Sequence, residues 1–278
     1  MLTWRQRRFI ISLRRYKIQF MGSKRRIAKY IIPVMMKNRT DNQYYVEPFV
    51  GGGNSMYKVD GNRIGADIHY YLIEALKLIR DNPDSLPTNI TEEIYYHCRE
   101  HKELYKDAIV GYLGFSFAFG GKWLGTYMRR KRGEKNCPIN EEIRNRRAKN
   151  KAILMSRTLQ GVDFYNVSYD KLDIPPNSII YCDPPYENTT GYKDSFTHEP
   201  FWNWCRLMVK EGHSVFVSHH SAPDDFVEVW GKDILYNPNG NNVQEGHEGL
   251  YVPNPYNEDV EAIKKKHFIC FEIKLEGL

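Results

Sequence analysis

The chain has 278 residues, 41% hydrophobic and 27% charged, enough to bury a full core as one large domain or two small ones. No apolar run reaches the ~18 residues that a membrane-spanning helix needs. Five scattered cysteines without a C-x-x-C pair argue against a disulfide framework or a zinc ribbon and point to reduced thiols in the cytoplasm. The net charge of +6 conceals two basic segments. Residues 1–30 carry ten basic and no acidic side chains, and residues 122–151 carry eleven basic against three acidic, which leaves the remainder at −12. An acidic body with two basic, aromatic-interleaved segments suits a polyanion held at particular places, and nucleic acid before a merely solvated charged surface.

In chain order, the opening MLTWRQRRFIISLRRYKIQF lacks the continuous apolar stretch and small-residue cleavage site of a signal peptide. An organelle-targeting leader is the lesser alternative. YYVEPFV (44–50) is rich in β-branched and aromatic residues and runs into Gly51-Gly52-Gly53, predicting a strand, a tight turn and then a helix start. IGADI (64–68) predicts a short buried strand, followed by a helix through YYLIEALKLIRDNP that stops before Pro83. From about 73 to 155 the character changes. Helical patterns in TEEIYYHCREHKELY and NEEIRNRRAKNKAILMSRTL surround the Gly- and aromatic-rich GYLGFSFAFGGKWLGTYMRRKRGEKN, as in a helical insertion into an α/β domain. His97 and His101, four apart, are a weak metal hint without a second ligand pair and read as a solvated helix face, so no metal site is expected.

SIIYC (178–182), the helical FWNWCRLMVKEG and HSVFVS (213–218) then give strand, helix, strand, the pattern of a parallel sheet. YNPNGNNVQEGHEGLYVPNPYN (236–257) reads as a loop, and HFICFEIKL (267–275) as a last strand.

Two places carry chemistry. In VEPFVGGGN the glycines let the backbone approach a ligand closely, and a helix start would face it. Asp67, at the end of the next strand, stands where a carboxylate accepts hydrogen bonds from ribose hydroxyls in a doubly wound fold. The order fits a nucleoside-bearing cofactor. The glycines complete neither G-x-G-x-x-G nor a P-loop, which removes dinucleotide and P-loop readings. The second place is IIYCDPPYENTTGY (179–192). A buried strand delivers Asp183 to the crevice beyond the strand ends, and Pro184 and Pro185 hold the turn rigid and extended while their carbonyls remain acceptors. A carboxylate beside a fixed carbonyl, with Tyr186 as a flat face, suits a planar ring bearing an exocyclic amino group.

With these motifs in order, FMGSK (20–24), YVEPFVGGG (45–53), ADI (66–68), GVDFYN (161–166) and YCDPPY (181–186), the chain resembles S-adenosylmethionine-dependent DNA adenine-N6 methyltransferases of the Dam-like group. GFSFAFGGKW (114–123) resembles the insert of phage and mobile-element members and differs from that of GATC-specific enzymes. The resemblance implies a Rossmann-like methyltransferase sheet, α/β in class, with a mostly helical target-recognition insert. Residues 1–19 are then a basic lead, 20–72 and 156–278 the catalytic domain, and 73–155 the insert. It implies that Phe20 and Lys24 lie near the methionine end of the cofactor, that Glu47, Pro48, Phe49, Gly51 and Gly53 wall it, that Asp67 holds the ribose, and that Asp163 and Phe164 flank the adenine. Asp183, also on the cofactor, would sit where cofactor and target base meet, and with Pro184, Pro185 and Tyr186 would receive the target amine. Arg129, Arg130, Lys131 and Arg132 are candidates for phosphate contact with duplex DNA. Methylation of another planar amine (cytosine N4, RNA adenine, a glutamine amide) and a silent nucleic-acid-binding protein of the same fold stay open at this point.

Overall fold

The structure, a computed structural model, describes residue 24 and residues 27–129, 141–185, 196–236 and 244–267. The chain divides into two compact units, one of Met1–Arg26 and Val50–Leu172 and one of Ile27–Phe49 and Asp173–Leu278. Numbered along the chain, the helices are α1 (Ala28–Met36), α2 (Tyr70–Asp81), α3 (Glu92–Glu100), α4 (Asp107–Ser116), α5 (Glu141–Leu159), α6 (His198–Lys210) and α7 (Val260–His267). The strands are β1 (Tyr45–Glu47), β2 (Arg63–Ala66), β3 (Val162–Tyr165), β4 (Ile179–Cys182), β5 (Ser214–His219), β6 (Phe226–Tyr236) and β7 (Gln244–Pro253).

In the first unit β2 and β3 run parallel, with Arg63 opposite Val162 and Ala66 opposite Tyr165. Their parallel crossover is carried by helices. The His69 side chain caps α2 by accepting from the Leu72 N–H at 3.3 Å, and Leu72, Ile73, Ala75, Leu76 and Ile79 form its buried stripe. Asn82 and Pro83 end it, since proline cannot continue the ladder. Thr91 caps α3 in the same way, accepting from the Ile94 N–H at 3.2 Å, with Glu92 and Glu93 favourably placed in the first turn. Helix α4 packs on α2 at a glycine: a Cβ on Gly111 would stand 1.8 Å from the Tyr71 carbonyl oxygen. Buried Asn145 of α5 accepts from the Ile90 N–H and donates to the Ile90 carbonyl, both at 2.9 Å. Arg63 ties the start of β2 to the end of α5 by donating to the carbonyls of Met56, Thr158 and Gln160.

In the second unit the order is β1-β4-β5-β7-β6. β1, β4 and β5 are parallel, with Tyr45 opposite Ile179 and Cys182 opposite Val217. They are the buried apolar runs that a sheet covered on both faces needs. β7 runs antiparallel to β5 and pairs with β6 as a long hairpin, interrupted by a bulge between Glu228 and Trp230.

Two sequence expectations are corrected. After the glycine turn no α-helix begins; Met56–Lys58 form a single 3-10 turn. Gly51 (φ 49°) and Gly53 (φ 66°) adopt left-handed conformations, and the Gly53 N–H closes a tight turn on the Val50 carbonyl at 2.9 Å. The segment 236–257 is not a loop throughout, because Gln244–Pro253 is β7. Its glycines hid it. At Gly249 a Cβ would meet the Tyr251 ring at 2.4 Å, so the glycine makes room for an aromatic lying along the strand. The predicted strand 267–275 lies outside the described residues except for His267, which closes α7.

Candidate active site

The first unit gathers a turn around Asp67. Its Oδ2 accepts from the Gly51 N–H at 3.1 Å and its Oδ1 from the His69 N–H at 2.9 Å. The Asp67 backbone is fixed as well, donating to the Tyr165 carbonyl and accepting from Asn166 Nδ2 at 2.9 Å. Burial raises the Asp67 pKa, and the two backbone N–H groups pull it back down. Each oxygen retains a further lone pair for an incoming hydroxyl. Ile68 (67% exposed) and Tyr165 (47% exposed) stand at the C-terminal ends of β2 and β3, presenting apolar surface beside this acceptor.

Gly65 explains how Phe164 is held. A Cβ there would come within 2.9 Å of Val50 and 3.0 Å of the Phe164 ring, so both side chains press on the bare backbone. Phe164 is buried, with the Arg80 guanidinium over its ring at 5.8 Å. Asp163, its neighbour in β3, is exposed, as alternation along a strand requires. Lys24 is buried.

His69 connects the Asp67 turn to the aromatic segment 114–123. Its ring stands edge-on to Trp123 at 4.4 Å and to Phe115 at 5.1 Å, and Trp123 stacks on Tyr71 at 5.4 Å. Gly114 permits this, since a Cβ would meet the indole at 2.4 Å. Burial holds the His69 pKa below the usual imidazole value, which favours the neutral ring that caps α2. Beyond Trp123 the chain doubles back through an Ala118–Tyr127 bridge. Arg129 follows, exposed, its guanidinium forked onto the Glu92 carboxylate with Nε at 2.8 and 2.9 Å from the two oxygens. That pairing holds Glu92 below the usual carboxylate range.

The second unit presents Asp183 directly after β4, half-buried, followed by buried Pro184 and half-buried Pro185. Beneath it, buried Tyr181 shares a 2.9 Å hydrogen bond with Ser218 of β5. Burial, and then the Asp183 carboxylate, push the Tyr181 phenol up, so it stays protonated as a hydrogen-bonding group. On β1, Glu47 is buried; burial and then this carboxylate push Tyr45 up likewise. Pro48 is buried, and Phe49 is half-buried, edge-on to Phe196 at 5.7 Å and to Phe201 at 5.6 Å. The Cys182 thiol is raised by burial and by Cys205, so neither chemistry nor geometry marks it as a nucleophile.

The residues expected to act therefore fall into a Gly51–Gly53–Asp67 turn with Phe164 in the first unit, and Glu47–Phe49 and Asp183–Pro185 in the second. Phe20, Tyr186, Arg130, Lys131 and Arg132 lie outside the described residues. Sequence reasoning missed His69, Asn166, Gly65 and Ser218; a glycine inside a strand pattern was the one legible signal among them. Among the described residues, no group of three or more His, Cys, Asp or Glu is placed to hold a metal ion, and no helix is long and apolar enough to cross a membrane.

Comparison with known proteins bears on these motifs directly. The chain is 27% identical over 218 residues to the type II methyltransferase M.FokI of Planomicrobium okeanokoites, a match covering 69% of this chain and 32% of that protein. It is 27% identical over 256 residues to the type II methyltransferase M.MjaIII of Methanocaldococcus jannaschii, covering 77% of this chain and 86% of that protein. The chain thus spans about a third of the length of the first relative and most of the second. The family model for the D12 class of N6 adenine-specific DNA methyltransferases matches residues 20–235, from FMGSK past the end of β5, and the chain belongs to that family.

Proposed function

We propose that this chain transfers a methyl group to N6 of an adenine in double-stranded DNA, with S-adenosylmethionine, the cofactor of the D12 class, as donor. One observation carries the reading. A fully buried parallel strand, Ile179–Cys182, ends on half-buried Asp183 with two prolines fixing the turn beyond it, in a chain whose family acts on adenine N6.

The residues present fit the cofactor. Asp67, held by two backbone N–H groups at a turn of left-handed glycines, keeps acceptor capacity for a ribose diol, and exposed Ile68 offers apolar cover beside it. In this reading Gly51 and Gly53 admit the ligand against bare backbone, Glu47, Pro48 and Phe49 wall the cofactor, and Phe164 with Asp163 borders the adenine. Phe20 and Lys24 serve the methionine end. The bound cofactor supplies an electrophilic sulfonium methyl with a good leaving group, so the protein needs no covalent intermediate of its own.

The target base must leave the stack for its amino group to be reached, at a cost of a few kcal/mol. The Asp183 carboxylate and the Pro184 carbonyl then accept hydrogen bonds from the two amino N–H groups, shifting electron density onto a nitrogen otherwise conjugated with the ring. Once N6 has bonded to the methyl, one of those protons leaves, by way of the Asp183 carboxylate, for solvent. The prolines hold these acceptors without reorganisation, and Tyr186 stacks on the base. Positioning and electrostatics supply most of the acceleration. Residues 73–155 act as the recognition insert, with Arg129, Arg130, Lys131 and Arg132 on phosphates. The relatives are named type II methyltransferases, and a modification role of that kind in the cytoplasm is the corresponding biological reading.

The test is methyl incorporation from labelled S-adenosylmethionine into duplex DNA, with nucleoside analysis of the product. N6-methyladenine is expected, and Asp183→Ala should lower the rate by about 10²–10³-fold or more. Undiminished turnover by that variant, or N4-methylcytosine as the product, would overturn the assignment.

A further inference from the structure

In the second unit, a cavity of about 150 Å³ lies at the N-terminal ends of β4 and β5, lined by Ile179 and Ser214, the strands' first residues. Asp183 follows the opposite end of β4. The methylation chemistry therefore makes no use of this cavity. Its walls are mixed, with Phe216, Val252 and Ile263 beside polar Asn254, His213 and His267, and its volume is that of a cavity able to take a benzene-sized body.

Two buried imidazoles make it more than a packing void. His213, 9% exposed, accepts from the Ser178 N–H at its Nδ1 (3.1 Å), so its Nε2 carries the proton as a donor. His267, 8% exposed, stands edge-on to Phe216 at 5.3 Å, and its buried Nδ1 has no hydrogen-bond partner. An orphaned ring nitrogen in a native interior is costly and calls for a missing partner. His267 and His213 both line the cavity.

The charge nearby sets the sign of that partner. Lys266 lines the cavity, and the ammonium of Lys37, outside the lining, donates to the Lys266 carbonyl at 2.8 Å. Against these stands Glu258 in the lining, exposed to solvent. Burial, then Lys266 and Lys37, hold the His267 pKa down to about 4. An anion would relieve that repulsion.

We infer that this cavity binds a small organic carboxylate with a compact apolar body, about the size of benzoate, its carboxylate received by His267 and the His213 Nε2–H at the lysine-bearing end. Binding should draw a proton onto His267.

The experiment titrates the full chain, without cofactor or DNA, with sodium benzoate and with benzyl alcohol as the uncharged counterpart. Binding is followed by calorimetry in buffers of different ionisation enthalpy and by the His267 ring signals in NMR. Benzoate should saturate with Kd on the order of 1 mM, with proton uptake and movement of the His267 signals, and benzyl alcohol should bind at least tenfold more weakly. His267→Phe should weaken benzoate binding about tenfold, and the exposed-site change Lys266→Met, which leaves the interior intact, about threefold. No saturation by the wild-type chain at twenty times that concentration would overturn the inference. So would equal binding of benzyl alcohol, or unchanged benzoate affinity in both variants. Since no methyl donor is present, failure here is separable from failure of the methyltransferase reading.

Discussion

The sharpest prediction concerns Asp67, because its four hydrogen-bonding sites can be accounted for one by one. Two are taken by the N–H groups of Gly51 and His69 at 3.1 and 2.9 Å. In the proposed reading the other two, one per oxygen, receive the ribose hydroxyls. A hydrogen bond to a charged group is worth about 1.5–3 kcal/mol net. Two of them, discounted for competition with water, come to about 3 kcal/mol, or roughly 10²-fold in Kd. Asp67→Asn is the informative change, since it preserves size and burial. Its amide must turn an NH2 towards either the Gly51 or the His69 N–H, setting donor against donor, so the glycine turn loosens as well. Calorimetric titration with S-adenosylmethionine should therefore show a Kd raised about 10²-fold, with Asp67→Ala no worse than a few-fold beyond that. The pH dependence has a definite sign. Burial lifts the folded-state pKa above the ordinary 3.8, so this carboxyl contributes stability that is fully present below 3.8 and lost as pH rises through the folded value. The cofactor needs the ionised form, and its affinity for the wild-type chain should fall as pH is lowered through that same raised pKa, while Asp67→Asn shows no such fall. Binding by the Asp67→Asn variant within threefold of wild type, or a pH dependence of affinity that is the same in wild type and Asp67→Asn, would refute the ribose assignment.

Two further changes probe other links. Gly111→Ala puts a methyl group where the Tyr71 carbonyl oxygen lies 1.8 Å away, so α4 must lift from α2. Overpacking of this kind costs about 1–3 kcal/mol, and scanning calorimetry should show Tm lowered by about 3–10 °C at ~2–4 °C per kcal/mol for a chain of this size. A Tm within a degree of wild type would mean the two helices are less tightly apposed. Arg129→Ala should reduce the slope of log K against log[salt] for DNA binding by about one, with equal weakening on all sequences, if that guanidinium leaves Glu92 for a phosphate. An unchanged slope would assign Arg129 to the intramolecular pair.

The parallel core was legible because its strands are buried on both faces and so read as short apolar runs. SIIYC and HSVFVS are β4 and β5 within one residue at either end, and the helix from Tyr70 stops before Pro83 as its breaker demands. The β6–β7 hairpin was opaque for the converse reason. Trp230 and Lys232 share a strand with a bulge, and the partner strand holds Gly246 and Gly249 where an alternating pattern would want side chains. Its strand character comes from pairing with β5 and from Tyr251 lying over a bare glycine, neither of which is a property of the local sequence.

The site follows the same division. Asp67 and Asp183 were legible as candidates because each closely follows a recognisable strand, and strand ends in a parallel sheet are where ligands meet the chain. The groups that hold them in place were not. His69 is two residues from Asp67, yet beside its local cap of α2 its role depends on two contacts distant in sequence, Phe115 and Trp123. Ser218 supports Tyr181 only because β4 and β5 pair in the register that sets Cys182 opposite Val217. Shifting that register by one residue would turn Ser218 to the other face and leave the Tyr181 hydroxyl buried without this partner. The identity of the proposed reacting carboxylate is thus local, whereas the packing beneath it depends on strand registration, and if Asp183 acts as proposed, Ser218→Ala should lower methyl incorporation while leaving S-adenosylmethionine binding unchanged.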